Sequence, residues 1–341
     1  MDCFALTRAL VDLDSTTGAE KPVVDYLFAH LCGLATQYRG QLERMHAAPG
    51  RENVLLTFGE PAVTLSTHMD TVPPFFGSSE DSAYICGRGS CDAKGIIAAM
   101  IAAAESLLAE GTRNFALLFV VGEERDSAGA KAAAASPRGS RFLINGEPTQ
   151  NRLALGSKGA LRYELIARGK LAHSAYPELG HSAIHSLLDA LQSIREIPLP
   201  SDTVLGQSTL NVGTIHGGHA PNVVADQASA EIMFRLVGDS EILRAAVARA
   251  AEKNGVEARE VFYCPAVHLG SVQGLPTTVV AFTTDIPTFD GTWGKPFLLG
   301  PGSIHVAHTS EERIDKRELR EAVAIYKRMV QQLLTNGEAA S

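Results

Sequence analysis

Apolar residues recur with two different periods along the chain, and the dominant period changes twice. Residues 4–34 carry apolar positions at helical spacing. Ser15-Thr16-Thr17-Gly18 interrupts them, and its hydroxyls suit the start of a second helix. Short apolar segments predict strands over 53–58 and 62–67, the second running into Ser66-Thr67-His68-Met69-Asp70. A Pro/Gly loop follows (Pro73, Pro74, Gly77), then a short strand over 83–86 that Gly87-Arg88-Gly89 stops. An Ala/Ile/Leu-rich run predicts a buried helix over 94–109. The unbroken apolar run 115–121 predicts a strand covered on both faces. Helices alternating with apolar strands indicate an α/β domain whose mixed, largely parallel sheet is flanked by helices.

Near Ser157 the style becomes alternating. A strand over 161–168, a helix over 181–194, strands over 209–215 and 227–236, a helix over 240–253 and a strand over 256–263 follow in turn. That β-α-β-β-α-β order is the ferredoxin-like α+β arrangement. Beyond Pro265 the first style returns, with strands over 278–282 and 297–299 and a long helix over 316–334. The expected organisation is a larger domain built from 1–156 and 266–341, with a smaller domain inserted over 157–265.

Composition narrows the function classes. A length of 341 residues suits two domains at roughly 100–200 residues each. With 45% apolar and 20% charged residues the chain can bury a core and is not disordered. A net charge of −8 without a basic run argues against nucleic acid or an anionic membrane as partner. Glu105 closes the longest apolar stretch well short of the about 20 residues that span a bilayer. Met1-Asp2-Cys3-Phe4 has neither a basic nor an apolar leader. Cys3, Cys32, Cys86, Cys91 and Cys264 are odd in number and form no C-x-x-C, as expected of reduced thiols. A cytoplasmic location is the expectation.

Five places put acids or histidines at strand ends or in loops, where α/β sites are built. In extended backbone His68 and Asp70 point the same way, so Asp70 can take one ring N–H and leave the other nitrogen for a metal. Asp92 precedes a buried helix and could equally cap it. Glu123-Glu124 ends an apolar strand, where adjacent carboxylates repel unless a cation or proton separates them; a solvated acidic turn explains them as well. Glu147 lies in Asn145-Gly146-Glu147-Pro148-Thr149, and His308 in a Gly-rich loop starting at Gly300. Each has an ordinary explanation alone. Together His68, Asp92, Glu124, Glu147 and His308 suffice for two zinc-like ions if one carboxylate bridges. Glu123 is then left over as a general base.

In this order, His68-x-Asp70, Gly87-Arg88-Gly89-x-x-Asp92-x-Lys94-Gly95, Glu123-Glu124, Gly146-Glu147-Pro148-Thr149 and His308 resemble the co-catalytic dizinc deacylase and exopeptidase family. Its members include acetylornithine deacetylase, succinyl-diaminopimelate desuccinylase, aminoacylase and bacterial glutamate carboxypeptidase. The resemblance implies that His68 and Glu147 hold one metal, Glu124 and His308 the other, and that Asp92 bridges. It makes Glu123 the base that deprotonates the bridging water and later protonates the leaving amine, with Asp70 orienting His68. Ala172-His173-Ser174 matches the family's lid histidine, which implies that His173 holds the oxyanion across a homodimer formed through the inserted lid domain. Gly217-Gly218-x-x-Pro221-Asn222-Val223 and Arg235 resemble the pair that grips a substrate carboxylate, a group the guanidinium fork matches.

Gly300-Pro301-Gly302-Ser303-Ile304 looks most like acetylornithine deacetylases, and Gly302 is expected to touch substrate. The implied reaction is hydrolysis of an N-acyl amino acid, N2-acetyl-L-ornithine first, as in arginine biosynthesis. A desuccinylase, or a dipeptidase or carboxypeptidase on the same metals, is the alternative. The implied cofactors are two divalent ions, zinc before cobalt. His181 and His185 lack the Glu of H-E-x-x-H, and Cys91 has no base beside it, so neither motif is assigned chemistry.

Overall fold

The computed structural model describes residues 2–338, which separate into two compact units. The first holds the described residues up to Leu155, Leu269–Thr278 and those from Thr284 onward; the second holds Gly156–His268 and Val279–Thr283. The short segment Val279–Thr283 therefore belongs to the second unit, whereas the sequence pattern placed it in the first.

The first unit is built on a mixed sheet. Phe115–Val120, Val63–His68, Phe142–Asn145 and Lys295–Leu298 lie side by side in that order and run parallel. Antiparallel strands flank them: Arg51–Phe58 and then Gln41–Ala48 on one side, Leu153–Ser157 on the other. The parallel portion is thus the centre of the sheet and not most of it. Phe115–Val120 reads as unbroken apolar sequence because it is buried on both faces. Phe115, Leu117 and Phe119 pack into a core with Ile97, Ile101 and Tyr326, while Ala116, Leu118 and Val120 join Met45, Phe289 and Trp293 in a second core. On the first face lies the helix Lys94–Ala109, whose Ala/Ile/Leu surface is buried almost all round. It packs against the helix Lys316–Glu338. Each fully buried Leu, Ile or Phe contributes about 1.5–3 kcal/mol from lost water contact.

In the second unit four antiparallel strands stand in the spatial order Thr209–Gly217, Gln227–Leu236, Gly159–Arg168, Val256–Cys264. Taken in chain order these are the second, third, first and fourth strands, which is the ferredoxin-like arrangement. Alternate residues Ala228, Ala230, Ile232 and Phe234 face a core that they share with Leu161 and Leu165. The helices Ala183–Arg195 and Glu241–Lys253 cover that core through Leu187, Leu191, Leu243 and Val247. Ser182 caps the first of them by accepting the His185 N–H at 3.3 Å.

Candidate metal centre

Parallel strands deliver their carboxyl ends to one edge of a sheet, and loops there can converge on a ligand. His68 ends the Val63–His68 strand, and Glu123 and Glu124 follow the end of Phe115–Val120 by a short turn. Glu147 comes just after Phe142–Asn145, and the loop after Lys295–Leu298 carries His308. Ligand atoms of His68, Asp92 and Glu124 lie within 4.8 Å of one another. Asp92 Oδ1 lies 2.9 Å from His68 Nε2, and its Oδ2 lies 3.4 Å from His308 Nε2. His308 Nε2 also meets Glu124 Oε1 at 2.9 Å. One carboxylate therefore turns an oxygen to each of two histidines, as a bridge between two ions requires. Asp92 does not cap the following helix, whose preceding residue is Ala93 without any side-chain cap. His308 has φ 63°, a left-handed conformation uncommon outside glycine and several-fold enriched for His, Asn and Asp.

Asp70 organises the acidic turn. Its Oδ1 accepts the N–H groups of Gly122 and Glu123 at 2.9 and 3.1 Å, and its Oδ2 accepts the Glu124 N–H at 3.2 Å and the Thr17 hydroxyl at 2.8 Å. Gly122 turns the chain there with φ 84°. His68 Nδ1 lies 3.0 Å from the backbone carbonyl of Asp70 and 3.6 Å from its carboxylate. The expected partnership of Asp70 with His68 thus runs mainly through the main chain, while the Asp70 carboxylate holds the neighbouring turn.

The electrostatics fit cations at this place. Burial, then the charge of Glu147, pushes Glu123 well above the usual carboxylic range. Burial also raises Glu147, whose Oε1 is enclosed without a hydrogen-bond partner, and raises Glu124 against the pull of His308. Asp92 goes the other way: burial is overcome by hydrogen bonds from His308 and His68, which lower it. His308 rises to about 10 through Asp92 and Glu124. Converging acids, an orphaned carboxylate oxygen and two imidazoles are a donor set that divalent ions satisfy.

Residues 64–332 match the model of peptidase family M20/M25/M40. The chain belongs to the M20 peptidase family. A "Peptidase M20 domain-containing protein" of Schizosaccharomyces pombe is 39% identical over 338 residues, covering 96% of this chain and 84% of that protein. A "Probable carboxypeptidase" of Aspergillus terreus is 35% identical over 366 residues, covering 95% of this chain and 84% of that protein. The YXEP protein of Bacillus subtilis, described as a dinuclear metal-binding peptidase of the M20 family, shares the fold. Its TM-score is 0.70 at 15% identity, with 98% of each chain covered. The chain is accordingly a metallohydrolase acting on amide bonds, in a family that binds two divalent metals.

Other residues of this M20 chain divide into three groups. In the second unit, Ala172–His173 pairs with Val223–Val224, and the Ser174 N–H donates to the Asn222 carbonyl at 3.0 Å, so His173 and Asn222 are neighbours. His173 is exposed, and its Nδ1 accepts the Ala175 N–H at 3.1 Å, which puts the ring proton of the neutral form on Nε2. Arg235 is half-buried in Gln227–Leu236, opposite Thr209 and Ala160, with no hydrogen bond or ion pair among the described residues.

Gly302 requires a correction. It is buried, its N–H donates to Glu318 Oε2 at 2.6 Å, and its carbonyl accepts from Gln150 at 2.7 Å. Both its polar groups are hydrogen-bonded within the protein. Its role is close approach, because a Cβ there would come within 2.5 Å of Cys91 Sγ.

Two buried carboxylates were not singled out from the sequence. Burial raises Asp285 to about 7, and it acts electrostatically on Glu123 and Glu147. Glu312 accepts three backbone N–H groups of the loop that carries Asp92. Lys94 is buried too, donating to the Leu13 carbonyl at 2.7 Å, with burial bringing its pKa down to about 8. Among the described residues no helix is long and apolar enough to cross a membrane, and Cys3, Cys32, Cys86 and Cys91 are free thiols.

Proposed function

We propose that this protein hydrolyses the amide bond to an α-amino acid that retains its free carboxylate, the bond shared by dipeptides, C-terminal peptide bonds and N-acyl amino acids. The observation that carries the reading is Asp92, with one oxygen beside each of His68 and His308. His68 and Glu147 would hold one ion, Glu124 and His308 the other, with Asp92 between them. Bound there, two divalent ions supply Lewis acidity toward the scissile carbonyl and acidify a water. Glu123 would take a proton from the attacking water and return it to the departing amine. Arg235, whose guanidinium has no hydrogen-bond or ion-pair partner among the described residues, and Asn222 would bind the substrate carboxylate. His173, with its proton on Nε2, would donate to the oxyanion from the partner subunit of a homodimer; a fully active monomer in sedimentation excludes that last role.

A carboxypeptidase name among the relatives supports a peptide substrate. The run Gly300-Pro301-Gly302-Ser303-Ile304 supports acetylornithine. Metal analysis with steady-state assays on dipeptides, longer peptides, acetylornithine, other acetyl amino acids and succinyl-diaminopimelate tests the reading. The expected outcome is two ions per chain and turnover confined to substrates with a free α-carboxylate. Equal turnover of their carboxyl-amidated forms overturns it.

A further inference from the structure

We propose that Glu312 is a positioning residue, fixing Asp92 against His308 and so setting how tightly the metal position of Asp92, Glu124 and His308 holds its ion. The proposal rests on the two-metal reading above. Glu312 follows His308 on the same loop and is 1% exposed. Its Oε1 accepts the N–H groups of Gly89, Cys91 and Asp92 at 2.9, 3.2 and 3.1 Å. Its Oε2 meets Arg88 Nη1 at 2.5 Å, and its backbone carbonyl accepts the Gly87 N–H at 3.1 Å. Arg88 is itself buried; its Nε donates to the Pro74 carbonyl at 3.2 Å, and its guanidinium lies 5.1 Å from the Phe76 ring centre.

One carboxylate thus ties the loop that ends in Asp92 to the loop that carries His308. Charge-assisted hydrogen bonds are strong and directional, and displacing either loop would leave a buried charge unpaired. Between the tied loops, His308 Nε2 and Asp92 Oδ2 stand 3.4 Å apart. Metal–ligand distances tolerate only about 0.2 Å of error, so the tie sets affinity at this position without Glu312 touching an ion. At the other position, His68 and Glu147 extend from strand ends and meet the tie only through the shared Asp92.

The test compares the parent with Glu312→Gln, which keeps size and one acceptor oxygen but removes the charge, and with Arg88→Lys as the milder lesion. Stepwise zinc affinities are read by competition with a chromophoric chelator. The visible spectrum of the cobalt-loaded protein, the thermal midpoint, kcat and KM are recorded alongside. Expected is a second affinity weakened about 10–100-fold, a first affinity weakened less, an altered cobalt spectrum, and a lower kcat at constant KM. A purely structural ion pair would instead lower the thermal midpoint while both affinities and the spectrum match the parent, and that result overturns the proposal. If Glu312→Gln does not fold, an unchanged second affinity in Arg88→Lys overturns it equally. A parent that binds fewer than two ions defeats the two-metal reading itself, a failure visible before any variant is made.

Discussion

The two units treat charge in opposite ways. Among the described residues every buried Asp, Glu, Lys, Arg or His lies in the first unit: Glu20, His68, Asp70, Arg88, Asp92, Lys94, Glu147, Asp285 and Glu312. The second unit keeps its ions at the surface in ordinary pairs, such as Arg244 with Glu260 and Arg259 with Glu164. Burying a carboxylate costs several kcal/mol unless partners compensate. Glu312 and Asp70 are compensated by protein donors, whereas one oxygen of Glu147 is not. Asp285 shares this condition, with both oxygens enclosed and unpartnered, so two uncompensated buried acids mark the first unit. Among the described residues the second unit carries no such mark.

The sharpest test of this contrast is Glu123→Gln. Turnover should fall about 10²–10⁴-fold while both ions stay bound, as read by kcat and metal analysis; near-normal turnover would remove Glu123 from its role. Leu165→Ala in the second unit should act through packing alone. It empties a fully buried site, and a loss of about 2–5 kcal/mol in denaturant unfolding is expected, with metal stoichiometry unchanged.

The smallest effect belongs to Glu260, which accepts from Arg244 at 2.8 Å on each oxygen and is held below its usual range mainly by that pair. Because the folded-state pKa is lowered, the pair stabilises above the unfolded value of about 4.3, and the benefit disappears as pH falls through the folded value. Solvent screens a side chain about a third exposed, so Glu260→Gln should cost less than about 1 kcal/mol near neutrality, with parent and variant converging in acid. A difference that persists at low pH would mean packing, not charge.

Elements with strong periodicity were legible before any coordinates. The helix Lys94–Ala109 and the strand Phe115–Val120 are apolar enough that no other burial pattern fits them. The edge strand Gln41–Ala48 was not, because Glu43, Arg44 and His46 give it the look of a polar loop. Its signal was the Pro49-Gly50 turn that joins it to Arg51–Phe58. The helix Ala128–Ala135 has too little apolar periodicity to stand out in sequence, yet its Ala130 and Ala133 pack in a core with Phe289 and Trp293.

At the candidate metal centre the proposed ligands could be named from their motifs, but the groups that hold them could not. Glu312 stands in Glu311-Glu312, indistinguishable in sequence from a solvated acidic pair. Only folding brings it to Arg88. Gly302 misled for the converse reason, since a glycine-rich loop looks open and here is closed by Glu318 and Cys91.

The grip of Asp70 on three consecutive amides has a consequence for anyone who would retune this enzyme. The proposed base Glu123 and the proposed metal ligand Glu124 sit on adjacent rungs of a single rigid jaw. Shifting one drags the other, so reactivity and ion affinity cannot be adjusted separately by editing that turn. Independent control has to come from outside it.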